Sequence, residues 1–364
     1  MISLSKPSIK KEDIDAVVSV LQSGMLVQGK EVEDLEGIAR LFLQAQHCAC
    51  VANGTATLHL ALLVSGIGPG DEVIVPAFSY IATANVVELV GAKPVFVDID
   101  IETYNINVSK IEEVITQKTK AIIPVHEFGL ACDIESIMQI SKKHNLVVIE
   151  DAACALGAKY KDKFAGTFGD FGSFSLHPRK AITSGEGGIL VSGDSDKMEK
   201  IRILRNHGIS LASGKMDFVA PGYNYRMTDF QAALVKGQFK RINEIISRRQ
   251  KLAELYKVNI TNSKIKLPFV PDYTEHTWQT FHLLLDKKLK RDAIITKLKE
   301  CNIGSNYGAQ CIPAMTYYQR KYNYNCADFF PNALLAYEQG LAIPMHDSLS
   351  EEEIMYVSIE LNKL

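Results

Sequence analysis

A chain of 364 residues, 47% of them hydrophobic, can bury a large core, and its length suggests a large unit joined to a smaller one. Its 40 basic and 42 acidic residues leave a net charge of −2 with no long run of either sign, which argues against nucleic acid and membrane surfaces as main partners. No apolar stretch reaches the ~20 residues of a transmembrane helix. The start Met1-Ile-Ser-Leu-Ser-Lys-Pro7 lacks a signal peptide's basic and apolar regions, so a cytoplasmic protein is expected. The seven cysteines are odd in number and scattered, which argues against a disulfide framework.

Taken in chain order, His47-Cys48-Ala-Cys50 looks like half a metal site, but it runs into Val51-Ala52 and has no second Cys or His pair nearby. It reads as a strand, and no metal is expected. Asn53-Gly-Thr-Ala-Thr57 precedes a helical stretch, Leu58 to Leu63. Such a turn offers free N–H groups and the positive end of a helix dipole to a phosphate, although it also reads as an ordinary N-cap. Gly66-Ile-Gly-Pro-Gly70 follows a helix and precedes a strand, the reverse of the dinucleotide-binding order, so it reads as a turn.

The runs Val73–Val75, Val95–Val97, Ala121–Val125 and Leu146–Ile149 are short, apolar and rich in β-branched residues. They suit strands buried on both faces of a parallel sheet. Helical stretches at Ile111–Ile115 and Ile134–Ile140 lie between them. This alternation predicts a three-layer α/β fold whose ligands bind beyond the carboxyl ends of the strands. Asp151 stands at such an end. Tyr80, past the strand at Val73, suits either a planar ring ligand or the core. A helical pattern begins at Thr228 and continues to about Val258. Within it we place the boundary between a large domain, residues 1–245, and a small C-terminal α+β domain, residues 246–364. The latter carries a strand at His282–Leu285, a helix at Arg291–Cys301 and a Tyr-rich loop.

Lys180 lies in Ser173-Phe-Ser-Leu-His-Pro-Arg-Lys180-Ala-Ile-Thr-Ser-Gly-Glu-Gly-Gly188, and Asp151 precedes it by 29 residues. A lysine amine forms a Schiff base with an aldehyde. A carboxylate keeps a pyridine nitrogen protonated, so that the ring withdraws electrons from the carbon under attack. In Gly222-Tyr-Asn-Tyr-Arg-Met-Thr-Asp229, Asn224 and Arg226 can reach an anion. Alternatively Thr228 or Asp229 is the N-cap of the next helix, and Arg226 pairs with Asp229.

Together these segments resemble the DegT/DnrJ/EryC1/StrS family of nucleotide-sugar aminotransferases, which use pyridoxal 5'-phosphate (PLP). The resemblance extends through Ser5-Lys-Pro-Ser-Ile9, Val97-Asp-Ile-Asp100, Arg205-Asn-His-Gly208 and Ile343-Pro-Met-His346, almost the whole chain. It implies a fold type I PLP-transferase: a three-layer αβα large domain with a smaller C-terminal domain. It implies that Lys180 is the Schiff-base lysine and proton carrier, and that Asp151 pairs with the ring nitrogen. Thr55, Ala56 and Ser175 match phosphate ligands, and Tyr80 matches the aromatic stacked on the ring. Asn224 matches a phosphate ligand supplied by the neighbouring subunit, so a homodimer with composite sites is implied. One position departs from the pattern. Many relatives carry Gln, His or Glu three residues after the aspartate, near the cofactor's phenolic oxygen or the substrate. Here it is Cys154, a weak hydrogen-bond partner, so that contact is lost, weakened or supplied by another group.

The resemblance also implies a reaction. L-glutamate gives its amine, leaving 2-oxoglutarate, and the amine passes to a keto carbon of a nucleotide-linked sugar. The surroundings of Lys180 look like the branch acting at C4 of 4-keto-6-deoxy sugars, with UDP and a 2-acetamido sugar as leading substrate. His177 and Arg226 are candidate substrate contacts. The alternatives are amination at C3, a PLP-dependent sugar dehydratase, in which histidine replaces the lysine, and a non-catalytic sensor of the same fold.

Overall fold

The computed structural model describes residues 1–211 and 214–364. Seven strands form the main sheet: β1 (His47–Val51), β2 (Glu72–Pro76), β3 (Lys93–Val97), β4 (Thr119–Ile122), β5 (Val147–Asp151), β6 (Phe171–Ser175) and β7 (Gly188–Ser192). Their order is β1-β7-β6-β5-β4-β2-β3. The run from β6 to β3 is parallel, while β7 is antiparallel to both β6 and β1. Alternation along each strand feeds two cores. Cys48, Cys50, Ile189 and Val191 face one core, shared with α2 (Lys30–Phe42), α5 (Ile134–His144) and α7 (Asp229–Phe239). Ala49, Val51 and Leu190 face the other, shared with α3 (Gly54–Val64), α4 (Ala82–Leu89) and α6 (Ser195–Leu204). The fold is therefore a three-layer α/β type with a sheet dominated by parallel pairing.

The helical pattern at Thr228–Val258 resolves into two helices, α7 and α8 (Ile242–Asn259), broken at Lys240-Arg241. Along α8, Ile242, Ile245 and Ile246 belong to the first sheet core. Leu252, Ala253 and Tyr256 belong to a third core. That third core includes β8 (Ile265–Lys266), β9 (Phe281–Leu285) and β10 (Gly340–Ile343), paired in the order β8-β9-β10. It is covered by α9 (Arg291–Glu300) and by the C-terminal helix Glu351–Asn362.

Two local expectations change. Ile111–Ile115 forms 3-10 turns at Val108–Lys110 and Glu112–Val114 instead of an α-helix, because only Ile111 of this run is buried completely. The Tyr-rich segment is not an open loop. It forms helices Thr316–Tyr322, Cys326–Phe329 and Pro331–Gln339, and Tyr318, Phe330 and Ala333 pack into the second sheet core against Phe96.

Candidate active site

Strand β5 ends in two carboxylates, and alternation sends them to different tasks. Glu150 is fully buried and accepts from the N–H groups of Gly166, Phe168 and Gly169 at 2.8, 2.6 and 2.7 Å. His126 Nε2 donates to it at 2.9 Å while His126 Nδ1 accepts from the Cys132 N–H, so Glu150 is satisfied and holds loops. Asp151 is also buried but has fewer donors. Its Oδ2 accepts from Thr83 Oγ1 at 2.9 Å and its Oδ1 from the Ala153 N–H at 3.1 Å. Burial pushes its pKa up, against the opposing pull of Thr83, Ala153 and the Lys180 charge. A buried carboxylate in this condition gains from a cationic partner, and a pyridinium N–H⁺ is one.

Lys180 follows β6 in a tight turn, its N–H bonded to the His177 carbonyl at 2.8 Å. Its ammonium donates to Cys154 Sγ at 3.0 Å. The Cys154 thiol is pushed above its ordinary pKa by burial, so it meets the lysine as a neutral thiol and as a weak, displaceable partner.

The N-terminus of α3 forms a third wall. Asn53 caps the helix, its side chain accepting from the Ala56 N–H at 2.9 Å. The Ala56 N–H is thus already taken, while Thr55 stands exposed in the first turn. The helix end is set tightly against β6 and β7. A methyl group on Gly54 would lie 2.9 Å from Ser175 Cβ, and one on Gly188 would lie 2.4 Å from the Asn53 carbonyl oxygen. Ser175, at the end of β6, therefore faces the same helix end, and its Oγ accepts from the His177 N–H at 3.3 Å. His177 is partly buried, which lowers its pKa and favours a neutral imidazole.

Tyr80 lies just past Ser79 and is 67% exposed. It is therefore not a core tyrosine. Asn224 is exposed as well, on a strand-like segment bridged to Asn206. Arg226 donates to Asn206 Oδ1 at 2.7 Å and not to Asp229. Asp229 instead caps α2 from the other end of the chain, accepting from Gly29 and Val32 N–H groups at 2.7 and 3.2 Å. Thr228, not Asp229, is the N-cap of α7, in a capping box with Gln231.

The structure adds a residue that sequence reading passed over. Glu127 sits in a 3-10 turn after β4 and is 4% exposed. Its Oε2 has no hydrogen-bond partner among the described residues. Burial and the nearby Asp151 charge push its pKa up to about 8, against the pull of Lys180, the Phe128 N–H and the Ser79 hydroxyl. A lone glutamate between an apolar strand and Phe128-Gly129 was the available signal.

A lysine amine, a buried carboxylate and a capped helix end converge on the carboxyl edge of a mostly parallel sheet. Those are the parts that a fold type I PLP enzyme requires: an amine for the aldehyde, an anion for the ring nitrogen and a helix terminus for the phosphate. Comparison with known proteins agrees. Residues 7–362 match the model of the DegT/DnrJ/EryC1/StrS aminotransferase family, and the chain belongs to that family. The chain is 38% identical to the spore coat polysaccharide biosynthesis protein SpsC of Bacillus subtilis, over 96% of this chain and 93% of the relative. It is 39% identical to the UDP-4-amino-4-deoxy-L-arabinose–oxoglutarate aminotransferase of Shewanella sediminis, over 88% of this chain and 86% of that one. Helicobacter pylori PseC, an aminotransferase of pseudoaminic acid biosynthesis, superposes with a TM-score of 0.93 at 28% identity, covering 100% of this chain and 98% of that one. Streptococcus pneumoniae Spr1654 in its PLP form superposes with a TM-score of 0.94 at 32% identity, covering 100% and 98%. The protein is a PLP-dependent sugar aminotransferase of fold type I.

Proposed function

We propose that the protein moves the amine of L-glutamate to the C4 keto carbon of a nucleotide-linked 4-keto-6-deoxy sugar, with a UDP-linked 2-acetamido sugar as the preferred substrate. The observation that carries the aminotransferase chemistry is Lys180 held 3.0 Å from Cys154 at the strand edge where Asp151 ends. The C4 preference rests on the segment around Lys180 and on likeness to the Shewanella sediminis enzyme, whose name places its amine at C4 of a UDP-linked pentose. When bound, PLP supplies an electrophilic aldehyde and an electron sink.

The protein's own groups do the rest. Lys180 anchors the cofactor through its amine, then carries the proton that leaves one carbon and reaches another. Cys154, a weak acceptor, releases that amine readily. Asp151 keeps the ring nitrogen protonated, oriented by Thr83 and the Ala153 N–H. Thr55 and Ser175 frame the phosphate at the α3 terminus beside Ala56, whose N–H is held by Asn53, and Tyr80 covers the ring. His177 and Arg226 contact the sugar nucleotide. Lys180 disfavours the dehydratase alternative, because deoxygenation in that branch proceeds without the covalent anchor.

A second copy of this chain completes the site in this reading. Asn224 is exposed, and so are Met25, Leu26 and Val27 beside α1 (Lys11–Ser23) and Met216, Phe218 and Val219 at or next to the strand Asp217–Phe218, which pairs with Ile209–Ser210. Exposed apolar side chains grouped in this way suit an interface. We place the domain boundary at 245/246 within α8, whose Ile246 still packs in the first sheet core while Leu252 packs in the third.

The test is borohydride reduction of the PLP-loaded protein, followed by peptide mapping and an amine-transfer assay with glutamate against UDP-, GDP- and dTDP-linked 4-keto-6-deoxy sugars. We expect the label on Lys180 and fastest turnover with the UDP-linked 2-acetamido sugar. Label elsewhere rejects the lysine assignment, and faster turnover of a sugar lacking the acetamido group rejects the substrate.

A further inference from the structure

Glu127 is a buried carboxyl that the reaction scheme above leaves idle. Its turn is unusual backbone: Phe128 has φ 56° and Gly129 has φ 100°, both in the left-handed region. A methyl group on Gly129 would lie 2.5 Å from Thr277 Oγ1 and 3.2 Å from the Cys154 carbonyl oxygen, so the turn is folded tightly back on the Cys154 loop. Phe128 is stacked on His282, with ring centroids 4.5 Å apart. The chain thus accepts a strained turn whose result is to fix Glu127 in the interior with one oxygen unpartnered.

The groups facing that carboxyl are those of the site. From β5 comes Asp151, from the following loop Cys154, and from the turn after β6 Lys180. Ser79 lies against it, and Ser79 Oγ bonds Thr83 Oγ1 at 3.1 Å, which in turn donates to Asp151 at 2.9 Å. On its own turn, His126 is engaged by Glu150 and Cys132. Behind Phe128, burial lowers the His282 pKa to about 3, so this imidazole brings no charge.

Resting on the proposed placement of PLP, the polar groups can be matched one to one. The ring nitrogen takes Asp151, the aldehyde carbon takes Lys180, and the phosphate takes the α3 terminus with Ser175. One polar substituent remains, the phenolic oxygen next to the aldehyde carbon and on the ring edge away from the phosphate arm. One buried polar atom beside Lys180 and Asp151 also remains, Glu127 Oε2. We propose that Glu127 is a cofactor-contacting residue that donates a hydrogen bond to the phenolic oxygen of PLP. It thereby supplies the contact that the thiol of Cys154 makes poorly. A neutral acid suits this place better than a carboxylate, which would repel both the phenolate and Asp151.

The test reads the bound chromophore, not turnover. PLP-loaded wild type, Glu127→Gln and Glu127→Leu are titrated by visible absorbance between pH 6 and 10. In the wild type we expect a spectral step near pH 8, where Glu127 ionises. Glu127→Gln keeps an amide donor, so its neutral-pH spectrum should match wild type while that step disappears. Glu127→Leu should shift the spectral titration by about one pH unit or more, the scale of losing a hydrogen bond to a charged oxygen. Superimposable titrations in all three proteins overturn the proposal. If the leucine variant does not fold, infrared spectra of the wild type and Glu127→Gln decide. A protonated-carboxyl band titrating near pH 8 in the wild type and missing from the glutamine variant supports the proposal, and its absence from the wild type overturns it. Borohydride labelling of Lys180 in the wild type keeps the two levels apart. Labelling with unchanged titrations defeats only the Glu127 assignment, whereas no labelling defeats the cofactor placement itself.

Discussion

At the scale of single residues, the site is a set of groups whose ordinary preferences are overridden by burial. Asp151 keeps two donors where Glu150, one residue earlier, keeps four. The difference is why one carboxylate is structural and the other is left needing a cation. Asp151→Asn removes the anion that we propose holds the ring nitrogen protonated, while preserving size. We expect kcat to fall by two orders of magnitude or more, ~3 kcal/mol of barrier or more, with an unchanged circular dichroism spectrum. A near-normal rate in stopped-flow assays would show that another group protonates the ring.

Glu127 and Asp151 also make the PLP-free protein pH-sensitive in a definite direction. Both have pKa values raised on folding, Glu127 from 4.5 to about 8. Between those values the folded state binds more protons than the unfolded chain, so unfolding free energy falls as pH rises. For Glu127 the window runs from about pH 4.5 to 8, and a shift of that size corresponds to a few kcal/mol. The Tm of the apoprotein should therefore drop between pH 5 and 8, more steeply than that of Glu127→Gln. Equal slopes for the two proteins in differential scanning calorimetry would mean that Glu127 is already ionised in the fold over this range, its pKa not raised by folding.

At the scale of elements, what the sequence disclosed follows from how strongly each element depends on local pattern. Strands β2, β3 and β5 were legible because buried parallel strands are near-continuous β-branched runs. The three helices between Thr316 and Gln339 were not, because they are short, one spanning only Cys326–Phe329, and their aromatic residues cluster on one another and on Phe96 across helix boundaries. Lys180 and Asp151 were legible because their chemistry demands those residue types. Glu127 was not, since its meaning depends on a left-handed turn and on packing from Thr277 and His282, about 150 residues away. Arg226 was half legible: an anion contact and a pairing with Asp229 were both open, and Asp229 turned out to serve α2.

The element whose placement matters most for the cofactor is α3, seated on β6 through Gly54. Gly54→Ala puts a Cβ 2.9 Å from Ser175 Cβ and 3.3 Å from its Cα, and backbone cannot yield as a side-chain tip can. The helix end must move away from Ser175, opening the phosphate cradle. We expect PLP to bind about tenfold more weakly or worse, ~1.4 kcal/mol, with Lys180 still reactive toward the aldehyde. Fluorescence titration of the apoprotein gives the Kd. An unchanged value would place the phosphate away from this helix terminus.

At the scale of the whole molecule, the question is whether one chain holds a complete site. Lys180, Asp151 and Ser175 belong to one sheet edge, but Asn224 is exposed on a segment that continues the edge of β1, where Ala52 N–H bonds the Tyr225 carbonyl at 2.8 Å. The Tyr225 N–H bonds the Arg205 carbonyl at 2.9 Å and the Arg205 side chain bonds the Cys50 carbonyl at 2.6 Å, so Asn224 is carried on backbone tied to β1. A rigid, outward-facing amide is a poor ligand for its own site and a good one for a partner's site across a two-fold axis. Subunit mixing decides between these. Lys180→Ala and Asn224→Ala each lose activity alone if both residues are needed. In a mixed dimer, the subunit with intact Lys180 receives intact Asn224 from its partner, and the other site lacks both. Random pairing of equal amounts then restores about a quarter of wild-type sites. Activity that stays at background, with subunit exchange demonstrated by differently tagged chains, would assign Asn224 to the site of its own chain.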